Sequence, residues 1–519
     1  MRSDTYFPKI EWKQKWTFAV CILTVLITHL YMFTNKLPNH DDVNRLIAGD
    51  TDEVKIQHGR WAGVIFDRVS GSSVSIPYVM GIISVLAFAG TAVVLVSLFC
   101  IEHKVSIVLL CGLLSTFPVS AGIFMYGYIA DVYFISMFLA VWSVWLLTRG
   151  KLSGNISGLV LLTLSCGCYQ AFWCFGIALL FLYYLLYFVE LQEGWKEFII
   201  RIAKCFGWVV LSLVLYLFVN KVVQYCTGYG ATDYQGLSAM GQFEGIGQLI
   251  RVLLYSYYEF VQFLYLKGSF TVSHVMIGVN FILTAAVIAM MIHRAKTCRQ
   301  FKGYWGVLTL LICLTPLAFN LISIVSMNQT HILMQYTFLM PYVMCLLLLD
   351  RMMVGRRKVW LVFCLLLAGV IYNGFLTVNE MYFRQQLNYE ATYSYTVRLL
   401  SRIEAMEGYD PEIPVAFINE NPQHNDHITI MSENYPVDME YFSHLDGMTA
   451  IEPHTFVKRA NDIADFCRYY HGYDLKLIEM EKLSALAATE EFQNMSVYPQ
   501  ADGMRYIDGV LVVKLADGK

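Results

Sequence analysis

Apolar residues along this chain gather into eleven runs, at 17–34, 78–101, 105–125, 129–148, 155–168, 171–189, 206–225, 274–293, 304–325, 336–349 and 360–379, separated by polar stretches. Most approach the roughly 20 residues that a helix needs to cross a hydrocarbon core about 30 Å thick. Runs 155–168 and 336–349 are short for that. The pattern predicts a polytopic α-helical membrane protein with about 11 transmembrane helices. Between the first two runs, in the loop 35–77, the period changes. Trp61, Val64, Ile65 and Val69 fall on one helical face, with Arg60, Asp67 and Arg68 on the other, which predicts a short helix lying in the headgroup layer. Ahead of it, Asp41 or Asp42 is placed to cap a helical turn from Val43 to Ala48 that Gly49 ends.

Two other segments have one polar and one apolar side. Residues 192–205 are basic enough to lie on the cytoplasmic surface. Gln248 to Lys267, within the Tyr- and Leu-rich stretch 226–273, read as a longer interfacial helix that walls a groove for a lipid chain. Past residue 379 the long apolar runs stop. Helical periodicity covers Asn379 to Met406, strand-like runs cover 414–418 and 427–431, helical stretches lie near 455–470 and 481–493, and a strand runs over 509–515. The chain thus divides into a multispan part, 1–379, and a small C-terminal α+β domain, 380–519.

Composition agrees: 57% of the residues are hydrophobic, 15% are charged and the mean hydropathy is +0.51, values of a bilayer protein. Arg2, Lys9, Lys13 and Lys15 precede the first run, and no small-residue cleavage site follows it, so it reads as a retained anchor with a cytoplasmic N-terminus. Lys and Arg then concentrate in alternate loops, which sets loop 35–77 and the C-terminal domain outside. The net charge of −3 conceals two unlike parts. Residues 380–519 hold 11 Lys/Arg against 23 Asp/Glu, and the remainder is basic. An acidic domain argues against nucleic acid as a partner. Twelve of the thirteen cysteines fall before residue 380, mostly inside apolar runs, with no disulfide framework and no CxxC pair. Cys166-Gly167-Cys168 reads as small residues at a helix contact.

Candidate chemistry gathers at the outer face. Asp41 or Asp42 suits a general base for a sugar or other hydroxyl, against a bland reading as an N-cap beside a solvated acid. Arg60 suits a phosphate, because a guanidinium offers paired donors, and His58 adds another donor; the plain alternative for Arg60 is a lipid headgroup. Arg45 lies one helical turn from the aspartates, as their ion-pair partner or a substrate contact. Asp131, at the outer start of the fourth run, is a cap or a substrate contact. Tyr169 and Gln170 bring polar groups to the same face. Gln170 and Asn320 also suit helix-packing hydrogen bonds, and Lys221 and Lys267 suit snorkelling.

The acidic pair, Gly59-Arg60-Trp61, Tyr128-Ile-Ala-Asp-Val-Tyr133, Cys168-Tyr-Gln-Ala-Phe172 and Asp502-Gly-Met-Arg followed by Gly509-Val-Leu-Val-Val-Lys-Leu515 together resemble the bacterial O-antigen (serotype-converting) glucosyltransferases of the GT-C class. The resemblance covers nearly the whole chain. It implies an enzyme of the bacterial cytoplasmic membrane that moves a hexosyl group, usually glucose, from a polyprenyl phosphate to a lipid-linked or surface glycan outside, alongside a donor synthase and a flippase. It also implies a catalytic acid in the first outer loop, here Asp41 or Asp42, acting by direct displacement. In such a reaction Arg60 holds the departing phosphate. The class often adds a second cation from a late loop, where 326–335 offers only His331. No cofactor is required; a divalent metal is compatible with the class but not indicated. Rival readings are a lipid-linked sugar transporter or flippase, a glycan polymerase or ligase, and a membrane protein without chemistry. Against the first, the polar groups cluster at one face rather than at mid-membrane.

Overall fold

The computed structural model describes residues 11–38, 41–42, 52–71, 76–191, 194–232, 245–266, 274–297, 301–352, 357–418 and 460–516. Every apolar run read from the sequence falls mainly on helix, with runs 105–125 and 304–325 each divided between two helices. Eight helices are long and apolar enough to cross a membrane: Trp12–Thr34, Pro77–Phe99, Ala130–Leu147, Gln170–Val189, Trp195–Thr227, His274–Ala295, Ile332–Arg351 and Arg357–Glu404. A ninth span arises if Lys104–Thr116 and Pro118–Phe124, bent by 46°, are taken as one. Pro118 explains the break, since it lacks the N–H that would continue the ladder and forces Phe117 into extended backbone. The remaining two runs form helices Leu152–Cys168 and Tyr304–Phe319, about 25 Å long at 1.5 Å per residue and so shorter than a bilayer core. Among the described residues, eight or nine helices therefore meet the length that the expected eleven require.

The segment 192–205 does not form a separate surface helix. From Trp195 it is the beginning of one 33-residue helix ending at Thr227, because nothing between 195 and 227 breaks the backbone ladder. The stretch Gln248 to Lys267, expected to be helical, lies as far as Leu266 in or at the end of the helix Ile246–Tyr265, with Val252, Ser256, Phe260 and Phe263 turned inward and Ile250, Leu254 and Tyr258 outward.

The core starts as a layered stack. Trp12–Thr34 packs on Pro77–Phe99, that helix on Ala130–Leu147, and that one in turn on Leu152–Cys168. Phe88, Phe124 and Phe134 meet at its centre with ring centroids 4.4–6.3 Å apart. His29 lies against them fully buried, and its two ring nitrogens are each 2.7 Å from a partner, Tyr382 Oη and the Ser115 carbonyl. Those bonds satisfy a polar ring where water is absent.

Ion pairs Lys13–Glu102 and Arg351–Glu190 and a hydrogen bond between His103 and Asp350, each at 2.8 Å, tie one end of the bundle. The opposite end carries the opening loop. Arg357–Glu404, at 48 residues and about 72 Å, links the bundle to the C-terminal part without a break at 380. Its last turns insert Tyr395, Leu399 and Ile403 beside Val415, Phe417, Leu511 and Val513.

Those residues belong to a three-stranded sheet of order β1-β3-β2, with β1 Val415–Ile418 parallel to β3 Val510–Lys514 and β2 Met504–Ile507 antiparallel to it. Asp508 and Gly509, both at positive φ, form the two-residue hairpin turn between β2 and β3, the conformation that Asp-Gly favours. Helices Ala460–Phe466, Met480–Ala487 and Glu490–Gln493 pack beside the sheet, and the first continues as a π-turn, Cys467–His471. The expected strand 427–431 and the turn Val43–Ala48 lie outside the described residues.

Candidate functional site

Asp41 and Asp42 are helical, and Asp42 is buried at 3% exposure while Asp41 is half-buried. The Asp42 Oδ1 accepts the backbone N–H of Tyr128 at 3.1 Å. Tyr128 stands in the irregular turn that joins Pro118–Phe124 to Ala130–Leu147, so the turn hands an amide to the carboxylate instead of to a helical carbonyl. Asp131 follows in the first turn of that helix, fully buried, where the positive end of the helix dipole suits an acid.

The next part of the site is the joint between helices Asp52–Gln57 and Trp61–Ser70. Lys55 and Asp67, both buried, form an ion pair across the two helices. Asp67 was expected on the polar outer side; it faces inward instead, because pairing with Lys55 offsets its loss of water. Ile65 and Val69 are the residues left exposed, at 56% and 74%, so the apolar face expected for this helix splits between protein and surroundings. Gly59 makes the joint possible. Its φ is +71°, and a Cβ there would meet the Tyr216 hydroxyl at 2.4 Å.

Arg60 emerges from this joint half-buried. Its Nη1 donates to the Tyr133 hydroxyl at 3.0 Å, and its guanidinium carbon lies 5.1 Å from the Tyr169 ring centre and 5.8 Å from that of Tyr133. The two rings stack 4.0 Å apart within 10° of parallel. A cation held beside the stacked rings and hydrogen-bonded to one of them keeps its charge while its remaining donors are held in one orientation. Gln170 locks the joint from below, donating to the His58 carbonyl at 2.8 Å and to the Tyr216 hydroxyl at 3.1 Å; Tyr216 donates to the Gly59 carbonyl at 3.1 Å. Trp61 lies over Gly167, where a Cβ would stand 2.7 Å from its ring. The Cys166-Gly167-Cys168 segment is thus a close helix contact, and the described cysteines are all free.

Residues 128–133 therefore connect the groups expected to act together: Asp42 at Tyr128, Asp131 within the segment and Arg60 at Tyr133. His331 comes to the rim from the late chain. It caps the 3-10 helix Ile332–Leu339 by accepting the Leu333 N–H at 3.3 Å, and lies edge-on to Tyr126 at 6.2 Å, itself 6.5 Å from Tyr128. His58 contributes its carbonyl to the Gln170 bond. Arg45 and Lys267 lie outside the described residues, and Lys221 is exposed. Asn320 donates to the Ser256 carbonyl at 2.9 Å and to Glu259 at 3.0 Å, a packing role.

Reading the sequence passed over several groups. Glu259, on the amphipathic helix, also accepts from Ser323 and Thr330. Tyr216 offered no spacing signal, since its role depends on helices distant along the chain, and the Tyr128–Tyr133 motif gave no sign that Tyr133 bonds Arg60. Lys55 and Asp67 carried one: opposite charges twelve residues apart in a loop beside a membrane. From the C-terminal part, Tyr470 reaches the start of the opening loop, where Lys36 Nζ stands 4.0 Å from its ring centre. Burial first, and then the negative charge of Asp42, push the Tyr470 phenol above its ordinary value.

The Ile246–Tyr265 helix walls an apolar cavity of about 210 Å³, lined by Phe260, Leu283, Val287, Pro316, Phe319 and Tyr342 among others. Among the described residues no group of three His, Cys, Asp or Glu side chains is placed to hold a metal.

A family model described as glucosyl transferase GtrII matches residues 30–349, a stretch that contains every site residue named in the opening loop, the turn at Tyr128 and the rim at His331. No curated protein and no solved structure matches the chain.

Proposed function

Because the chain belongs to the glucosyl transferase GtrII family, and so is a glycosyltransferase built on membrane helices, we propose that it moves a glucosyl group from a polyprenyl-phosphate donor to a surface or lipid-linked glycan of the O-antigen kind. In this reading the reaction takes place outside the bacterial cytoplasmic membrane. The observation that carries it is that a buried carboxylate, Asp42, and a half-buried guanidinium, Arg60, each hydrogen-bond a residue of one short segment, 128–133.

Asp42 is the proposed base, because its carboxylate is fixed by a backbone amide and a base must be held in place before its proton affinity matters. It takes the proton of an acceptor hydroxyl. The oxygen's electron pair forms the new bond to the anomeric carbon as the bond from that carbon to the phosphate oxygen breaks, and that bond's electrons leave with the polyprenyl phosphate. One displacement of this kind inverts the anomeric centre and needs no glycosyl-enzyme. Arg60 faces the charge that grows on the leaving phosphate, and donors already aimed at developing charge lower the barrier without reorganising. Asp131, Tyr169 and Gln170 are the proposed substrate-side residues around Asp42 and Arg60, and His331 is a proposed further donor for the phosphate. A polyprenyl chain suits the apolar wall of the Ile246–Tyr265 helix.

The test is label transfer in membranes holding the protein, with either polyprenyl-phosphate [14C]glucose or a [14C]glucose nucleotide as the only label. Transfer of the lipid-borne label to glycan, undiluted by unlabelled nucleotide sugar, supports the proposal. Transfer from the nucleotide sugar alone contradicts it.

A further inference from the structure

The C-terminal part reaches back to the segment that carries Asp42. Gln385, fully buried on the Arg357–Glu404 helix, donates from Nε2 to the Leu37 carbonyl at 2.7 Å and to that of Pro38 at 3.4 Å. One residue earlier, Lys36 lies over the face of Tyr470. Tyr470 belongs to the π-turn Cys467–His471 and is held from its own side, stacked on Phe466 at 4.5 Å and edge-on to Tyr389 of the long helix at 5.7 Å. His471 anchors the end of that turn, with Nε2 2.7 Å from the Thr396 hydroxyl. An insertion such as a π-turn widens one helical turn and re-aims its side chains. Here it presents an aromatic ring to the loop while Phe466 stays in the core.

We propose that Gln385 and Tyr470 are positioning residues for Asp42, so that the active site is complete only with the C-terminal part docked on the opening loop. The long helix grips Leu37 and Pro38 and the π-turn grips Lys36, four to six residues ahead of Asp42 in the chain, and the Asp42 charge is near enough to act on the Tyr470 phenol. A protonated phenol whose dipole points its proton toward a carboxylate favours the charged form, the form a base must have before it accepts a proton, and the electrostatic coupling of Tyr470 to Asp42 is the reason to test its hydroxyl. This inference rests on reading Asp42 as the base of glucosyl transfer.

Tyr470→Phe keeps the ring against Lys36 and Phe466 and removes only the hydroxyl. Its kcat is expected to fall about two- to fivefold, the scale of a weak through-space electrostatic contact, with KM for the lipid donor unchanged. The acidic limb of its kcat profile should move to higher pH, because the carboxylate loses a group that favours its charged form. A role in folding alone would not move that limb. In a second arm, hydrogen–deuterium exchange over residues 36–42 should quicken in Tyr470→Ala and in Gln385→Leu while the membrane helices keep their protection. That arm needs no substrate, and it reads the clamp even if another sugar donor is used. A wild-type kcat and pH profile in Tyr470→Phe, or unchanged exchange over 36–42 in both other variants, would overturn the inference. Normal turnover in Tyr470→Phe with an inactive Asp42→Asn confines that failure to the clamp, whereas an active Asp42→Asn removes the base reading itself.

Discussion

Arg60 illustrates how much a single side chain's surroundings decide. On a bare loop it would be a solvated cation with little preference for any anion. Here its hydrogen bond to Tyr133 and its place against the Tyr133–Tyr169 stack fix a planar fork in one orientation. Lysine would keep the charge but lose the fork and much of the ring contact. Arg60→Lys should therefore retain part of the activity with a raised KM for the lipid donor, and Arg60→Ala should lose about a hundredfold or more in kcat/KM, as steady-state transfer assays will read. Equal rates in Arg60→Lys and wild type would show that charge alone suffices. The residues themselves were legible in the sequence as a loop rich in acid and cation. Tyr169 and the segment from Tyr128 to Tyr133 were legible too, but their contacts with Asp42 and Arg60, and the part played by Tyr216, were not, since only tertiary packing brings those elements near.

At the scale of elements, the two short helices of the opening loop depend on a buried ion pair. Lys55 and Asp67 are both nearly out of solvent, so removing one partner leaves an unpaired charge in a low-dielectric site. Asp67→Ala should cost about 3–5 kcal/mol locally, while the double change Lys55→Met with Asp67→Leu should recover most of that. Thermal unfolding together with hydrogen exchange over 52–70 measures both, and a single variant as stable as wild type would contradict the argument. Periodicity foresaw helix 61–70 but turned Asp67 outward, because a pattern of apolar positions carries no information about a cation twelve residues upstream. It also split 192–227 where the polarity changes, although polarity does not interrupt a hydrogen-bond ladder. In the C-terminal part, burial first and the neighbouring Asp462 second raise the Asp465 carboxyl to about 6. Its folded state thus holds a proton that the unfolded chain releases near 4. Stability from this group is present at low pH and is lost as pH rises through about 4 to 6. Asp465→Asn should raise the melting temperature at pH 7.5 but not at pH 4, and the same shift at both would rule out this origin.

Over the whole molecule, one helix of 48 residues joins the membrane bundle to the sheet. It touches His29 of the first span through Tyr382, the opening loop through Gln385 and the C-terminal core through Tyr395 and Leu399. The helical runs and the terminal strand were legible because burial in lipid or in a sheet imposes long or alternating apolar patterns. This continuity was not, since the helix turns polar past 379 when it leaves the apolar layer, and a change of composition resembles a boundary. The central claim is that this assembly places one carboxylate to deprotonate the acceptor. Its most direct test is the single-turnover rate of glucose transfer from polyprenyl phosphate in wild type, Asp41→Asn and Asp42→Asn, with donor binding measured in parallel. A loss of roughly a hundredfold to ten-thousandfold in Asp42→Asn, the range for a general base, with donor affinity kept and Asp41→Asn much less affected, is the predicted result. Wild-type rates in Asp42→Asn would contradict it.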